Sequence, residues 1–165
     1  MKCAYCPTCG AKTVRREIGD EGAVDFCTIC DAPRFDLASP GVLVLAVDPD
    51  DRLALLMQHS VSTTHWVLVA GYNRVGETAE ETVRREVAEE TGLRVTSCRY
   101  VASYFHAGKQ ALLLGFVARV VGELSRDSAE IDDLRWIDFA DAGPFLRPGS
   151  IGMRLYRETR ALRSR

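Results

Sequence analysis

Three acids stand close together in the run Arg85-Glu86-Val87-Ala88-Glu89-Glu90. On a helix turning about 100° per residue, Glu86, Glu89 and Glu90 fall within roughly a 100° arc, and Ala79, Val83 and Val87 form an apolar arc beside it. Acids on the border of a buried face lose solvation and repel one another, which is unfavourable unless cations neutralise them. Hard oxygen ligands in such a group suit Mg²⁺ or Mn²⁺, ions that also bind substrate phosphates. Metal held there could polarise a bridged diphosphate and acidify water, with a spare carboxylate taking the proton. Glu89 and Glu90 are both candidates for that base. The bland alternative is a solvated acidic helix face, which is what most charge runs are.

A second set of ligand-type residues lies near the start. Cys6-Pro-Thr-Cys9 and Cys27-Thr-Ile-Cys30 are two C-x₂-C pairs separated by seventeen residues, a spacing that can gather four thiolates around one tetrahedral Zn²⁺. Cys3 and Cys6 make another C-x₂-C, but Pro7 and Gly10 favour Cys6 and Cys9 as the metal knuckle. Residues 1–36 lack an apolar period able to form a core, so metal binding would supply their folding energy. Cys98 falls in a predicted strand and reads as a small buried hydrophobe.

Other elements must position these groups. The spacing predicts a zinc ribbon over 1–36, a linker over 37–41 (Leu-Ala-Ser-Pro-Gly) and a larger domain over 42–165. Within the larger domain, strands are expected at Val42–Val47, Arg52–Met57, Trp66–Ala70, Arg94–Ser103, Ala111–Val121 and Leu134–Asp138. The first two should form a hairpin through Asp48–Asp51. The acids lie on a helix from Thr78 to Thr91, with Thr78 and Glu81 as a capping box and Gly92 as its stop. A last helix is expected at Ile151–Leu162. Mixed strands with two helices give an α+β architecture whose helices cover sheet faces.

The segment Gly71-Tyr-Asn-Arg-Val-Gly-Glu77 through Arg85-Glu86-Val87-Ala-Glu89-Glu90-Thr-Gly92-Leu93 resembles the Nudix box at every fixed position. Chance agreement is on the order of one in ten million from average residue usage, which weighs against the solvated-face alternative. The resemblance implies an α/β/α sandwich with a mixed sheet and makes Glu86, Glu89 and Glu90 metal ligands. The Gly71 carbonyl is a further ligand, while Glu77 and Arg85 brace the loop and helix. In Nudix hydrolases an acid before an Arg-Trp strand often completes the metal group. Glu130 holds that place here, in a loop acidic enough to be plain solvated surface.

Ribbon and box together resemble the NADH pyrophosphatase branch, through Ala32-Pro33-Arg34, Tyr100-Val-Ala-Ser103 and Ser150-Ile-Gly-Met-Arg-Leu155. That branch follows the box with Ser-Gln-Pro-Trp-Pro-Phe-Pro, whereas here Ser103 leads into Tyr-Phe-His-Ala-Gly-Lys-Gln110. Tyr104, Phe105 and His106 could stack on a base or nicotinamide as substrate-binding residues, or pack as strand-end core. His65 and Trp66 face the same choice, with core packing favoured for Trp66, and His59 has no visible role. The expected substrate is a nucleoside diphosphate derivative such as NADH, NAD or ADP-ribose, and the resemblance also allows a homodimer and decapping of NAD-capped RNA. The competing class is a nucleotide-sensing or nucleic-acid-binding module, against which the complete acid set argues.

Composition narrows the setting. Net charge is −2, so no overall basic field draws the chain to nucleic acid or anionic membrane, and any RNA contact would have to be local. The longest apolar stretches, Val42–Val47 and Ala111–Val121, are too short to span a bilayer. The first residues show no signal-peptide pattern before Cys3, and five of the six cysteines lie in the first thirty residues. That clustering points to metal in a reducing cytoplasm rather than to disulfides.

Overall fold

The computed structural model describes residues 3–62, 64–126 and 131–163. The chain divides into two units, Met1–Ala38 and Ser39–Arg165. Among the described residues of the first, the buried apolar side chains are Cys6, Phe26 and Cys27. Three short strands, β1 (Val14–Glu17), β2 (Ala23–Cys27) and β3 (Ala32–Arg34), pair antiparallel in that order. Nothing in the pattern of residues 14–17 predicts this sheet: every β1 residue is exposed, so no alternation of apolar and polar residues marks the strand.

The second unit is a mixed sheet covered on both faces. Its strands are β4 (Ser39–Val47), β5 (Arg52–Met57), β6 (Val69–Tyr72), β7 (Arg94–His106), β8 (Ala111–Val121) and β9 (Asp133–Asp138), and its helices α1 (Ala79–Thr91) and α2 (Ile151–Arg163). The order is β7-β8-β4-β5-β9, with β6 paired to β4. β4 and β8 run parallel at the centre, from Ser39 opposite Ala111 to Val47 opposite Arg119. Val42–Val47 are buried without a break, the mark of a strand covered on both sides. Val42, Val44 and Ala46 face Val83 and Val87 of α1, while Leu43, Leu45 and Val47 join the core holding Leu155 and Tyr156 of α2. No helix among the described residues is long and apolar enough to cross a membrane.

Three strands depart from expectation by two residues or more at one end or both. The first strand starts at Ser39, because it pairs with β8 from there. The third runs over Val69–Tyr72 instead of Trp66–Ala70: Trp66 and Val67 make isolated bridges to Leu146 and Leu56, and pairing with β4 extends through Gly71 and Tyr72. β7 continues past Ser103 to His106, which pairs with Ala111. The hairpin forms, but β4 and β5 pair only at Val47 and Leu53 before β5 turns to β9.

Candidate active site

The acid-bearing helix is fixed at both ends by local chemistry. Thr78 Oγ1 accepts from Glu81 N–H at 3.2 Å, and Glu81 Oε2 accepts from Thr78 N–H at 2.8 Å, a reciprocal cap on two otherwise unsatisfied donors. At the other end Gly92 takes φ 72° and donates to Ala88 O, a conformation that favours glycine. The Val83 and Val87 stripe then presses α1 to the sheet and sets the acids along its border.

Arg85 is the hub of that border. Its Nε donates to Glu77 Oε1 at 2.7 Å and Nη2 to Glu77 Oε2 at 2.9 Å, a forked pair. Nη1 reaches Glu86 Oε1 at 2.6 Å and Glu89 Oε2 at 3.0 Å, and Nη2 also holds Tyr72 O at 3.0 Å. The Arg85 guanidinium drives the Glu77 carboxyl down to about 2, and Glu77 further accepts from Arg74 N–H and Thr82 Oγ1. One arginine therefore ties the loop after β6 to the helix.

The three acids have different surroundings. Burial pushes the Glu86 carboxyl above its ordinary range despite Arg85. Its carboxylate lies so close to Gly71 that a Cβ there would stand 1.9 Å from Cδ and Oε1. Glu90 is 8% exposed and accepts from Ala70 N–H at 3.3 Å. Glu89 is the open one, its side chain 47% exposed and shared between Arg85 and Arg74, whose Nη2 lies 3.1 Å from Oε1. Arg74 had not been singled out in the sequence; the signal was an arginine inside the loop that folds back on the acids. Glu130 lies outside the described residues.

The donor set of Glu86, Glu89, Glu90 and the Gly71 carbonyl is all oxygen and fits a hard divalent cation. Among the described residues these acids do not yet converge as tightly as the cysteines do. Sulfurs of Cys6, Cys9, Cys27 and Cys30 all lie within 4.8 Å of one another, with Cys9–Cys27 at 3.5 Å and Cys6–Cys30 at 3.9 Å. A tetrahedron with Zn–S of about 2.3 Å has sulfurs roughly 3.8 Å apart. Burial raises the Cys6 thiol, but the Cys9 N–H, Arg34 and the Thr8 N–H outweigh it and bring it to about 5. Arg34 Nε stands 3.1 Å from Cys6 Sγ. Cys30 is pushed up to about 12, first by its hydrogen bond with Cys9. Cys3 is not in the group; its N–H donates to Asp25. Cys98 packs partly buried against the α1 side of the core.

A cleft of about 590 Å³ adjoins the acids at Ala70, with Trp66, Phe105 and His106 on its wall. Phe105 is 57% exposed. Tyr104 does not share this position. It is 3% exposed in the α2 core, its hydroxyl donates to Glu158 at 2.5 Å, and Arg154 covers its ring. Strand alternation separates it from its neighbour, so Tyr104 takes the core alternative while Phe105 and His106 lie on the cleft wall. Trp66 is only partly buried, with Arg135 stacked 4.8 Å from its ring centre.

A mixed sheet between two helices, with a glycine-anchored loop feeding a capped acidic helix, defines a Nudix fold. The family model described as NUDIX domain matches residues 38–156, and the chain belongs to that family. It is 31% identical over 160 residues to the NAD-capped RNA hydrolase NudC of Photobacterium profundum, covering 96% of this chain and 59% of that protein. To the protein of the same name from Escherichia coli O1:K1 it is 34% identical, over 96% of this chain and 60% of that protein. The chain thus spans about 59% of the length of the first of these curated relatives. A crystal structure of a NUDIX hydrolase from Nitrosomonas europaea shares the fold with TM-score 0.69 at 20% identity, covering 98% of this chain and 93% of that one. The NUDIX domain of Shewanella oneidensis NrtR, solved with ADP ribose, superposes with TM-score 0.63 at 17% identity, over 78% of this chain and 90% of that one.

Proposed function

We propose that this chain hydrolyses the diphosphate linkage of a nucleoside diphosphate derivative, with NADH, NAD and ADP-ribose as the substrates to test first. The observation that carries this reading is the seating of the Glu86 carboxylate against Gly71, a close approach that only glycine permits. Mg²⁺ or Mn²⁺ held by Glu86, Glu89, Glu90 and the Gly71 carbonyl would polarise the diphosphate and lower the pKa of an attacking water. Arg85 and Glu77 keep the loop in register with the helix. Glu89 is the more accessible carboxylate, and its oxygen not bound to metal would take the proton of that water, while Glu90 is oriented by its bond from Ala70 N–H. Phe105 and His106 border the space beside the diphosphate. Zn²⁺ in the Cys6, Cys9, Cys27 and Cys30 group would have a structural role, since all four positions are thiols and none is left for substrate.

Decapping of NAD-capped RNA is a second reading, supported by the names of the relatives at 31% and 34% identity. The test is a product-mass screen with Mg²⁺ over NADH, NAD, ADP-ribose, dinucleoside polyphosphates, nucleoside triphosphates and NAD-capped RNA. Cleavage within the diphosphate, reduced by about two orders of magnitude or more in Glu89→Gln, is the expected result. Turnover that survives both Glu89→Gln and Glu90→Gln would overturn the assignment.

A further inference from the structure

Beside the acids the surface changes sign. The cleft at Ala70 adjoins a second one of about 450 Å³, and the two share a wall of Val61, Ser62, His65 and Arg147. Together they gather His59, His65, His106, Lys109 and Arg147, which include all three histidines of the chain. No aspartate or glutamate lines either cleft among the described residues. The chain has 23 acidic residues against 21 Lys and Arg, so an acid-free wall of this size is a local departure from its composition.

The rings on this wall are held by one nitrogen each. His59 Nδ1 lies 2.8 Å from Asp132, which also accepts the His59 N–H at 2.7 Å. His65 Nδ1 lies 2.8 Å from Thr64 Oγ1, and His106 Nδ1 accepts from Lys109 N–H at 3.1 Å. The Nε2 atom of each ring has no such bond among the described residues. Arg147 is exposed, and among the described residues its guanidinium has neither an ion pair nor a hydrogen bond. Other guanidiniums near the acids and the cleft, those of Arg74, Arg85 and Arg135, are paired with carboxylates.

A concave wall carrying an uncompensated guanidinium concentrates positive potential and attracts an anion. A neutral ribose or carboxamide would not satisfy it, and an oxidised nicotinamide ring, itself cationic, would be repelled. Phosphate matches the planar donor fork of Arg147 and can also accept from imidazole and hydroxyl donors. We propose that this wall binds a phosphate group that the substrate carries beyond the diphosphate to be cut, attached to the sugar of the half lying in the cleft. The site rests on the proposed hydrolase reading for the rest of its ligand. The same chemistry has two sources: a phosphomonoester on a free dinucleotide, or the phosphodiester by which a nucleotide strand continues.

Calorimetric binding without added divalent cation separates them, using NAD, NADP, and NAD extended by one nucleotide at its adenosine 3′ oxygen. At least one phosphorylated ligand should bind about tenfold or more tightly than NAD, the scale of a charge-assisted hydrogen bond. Its advantage should shrink to about threefold or less in Arg147→Ala, and Arg147→Lys should restore only part of it. An advantage confined to NADP identifies a free nucleotide; one confined to the extended ligand identifies a strand. No gain from either phosphate, or a gain that survives Arg147→Ala, overturns the site. The readout does not involve turnover. Diphosphate cleavage without phosphate-dependent binding removes this site alone, and phosphate-dependent binding without cleavage of any diphosphate removes the hydrolase reading alone.

Discussion

Replacing Gly71 by alanine should separate stability from chemistry. The new Cβ would stand 1.9 Å from Cδ and Oε1 of Glu86 and 2.4 Å from Oε2, so that carboxylate has to move. Gly71 is not among the residues with positive φ, and the backbone itself tolerates alanine. The obstructing atoms end a flexible side chain, so the main loss to the fold is the 2.6 Å bond from Arg85 to Glu86. Both side chains are largely buried, at 15% and 12% exposed. Bonds to charged groups are worth about 1.5–3 kcal/mol, and because Arg85 keeps its other partners a net loss of about 1–2 kcal/mol is expected. For a domain of this size that corresponds to a fall in Tm of about 2–8 °C. Metal binding should suffer more. Outer partners of metal ligands are worth about 10–100-fold in affinity, so displacing Glu86 itself should weaken Mn²⁺ binding by at least about tenfold. Thermal melting with a paramagnetic Mn²⁺ titration measures the two effects separately. A variant that melts as expected yet binds Mn²⁺ within about threefold of the parent would refute Glu86 as a ligand.

Acid sensitivity offers a second check. Arg85 holds the Glu77 carboxyl at about 2 in the folded chain, below the ordinary 4.5, so its contribution is complete above that ordinary value and is lost as pH falls toward 2. Denaturation curves over this window should be flatter for Glu77→Gln than for the parent; equal slopes would contradict the pairing. Metal analysis of reduced, unchelated protein should find about one zinc per chain, and Cys27→Ser should lose it, because a structural site needs its full set of ligands. Zinc-free parent protein would defeat that assignment. Finally, kcat/KM for NADH, NAD and ADP-ribose should fall within about a hundredfold of one another, since stacking or apolar contacts at the nicotinamide end discriminate only modestly. A preference of a thousandfold or more for NADH would mean that dedicated hydrogen bonds recognise the nicotinamide end.

What could be read from the sequence was what is encoded locally. The helix from its Thr78 cap to Gly92 follows from short-range bonds between neighbours, and β5 and β8 from apolar runs that the structure reproduces end to end. Boundaries set by a distant partner were misjudged. The extension of β7 to His106 depends on Ala111, and the late start of β6 depends on Leu56 and Leu146 claiming the residues before it. The same division holds for the site. Gly71, Glu77 and Arg85 were visible because box spacing carries them, but the ion pair between Arg74 and Glu89 spans fifteen residues and appears only once the loop closes on the helix. For Tyr104 the choice between ligand contact and core packing stayed open in the sequence, because aromatic type says nothing about which face of β7 a residue occupies; it lies in the α2 core. Arg147 carried no signal at all: its significance is the absence of acids around it, a property of the assembled wall.

The two ligand groups differ in how their own charge is balanced, and this bears on what each ion would do. Four cysteine sulfurs already meet within 4.8 Å, and Cys6 and Cys30 are driven to opposite ends of the thiol range, about 5 and about 12. Protein charge relieves only part of that congestion, through Arg34 on Cys6. A bound cation that stabilised all four thiolates would therefore be inseparable from the folding of a unit whose buried apolar residues, among those described, are Cys6, Phe26 and Cys27. On the acidic helix the balance is reversed. Arg85 spans Glu77, Glu86 and Glu89, and Arg74 shares Glu89, so two guanidiniums offset part of the carboxylate charge within the protein. A divalent ion held by Glu89 would have to compete with these guanidiniums, which would favour weak, exchangeable binding. If Glu89 ligated an ion, Arg74, 62% exposed, would be free to meet a substrate phosphate. On the proposed reading the same arginines would oppose binding of the metal alone and favour binding of metal together with diphosphate.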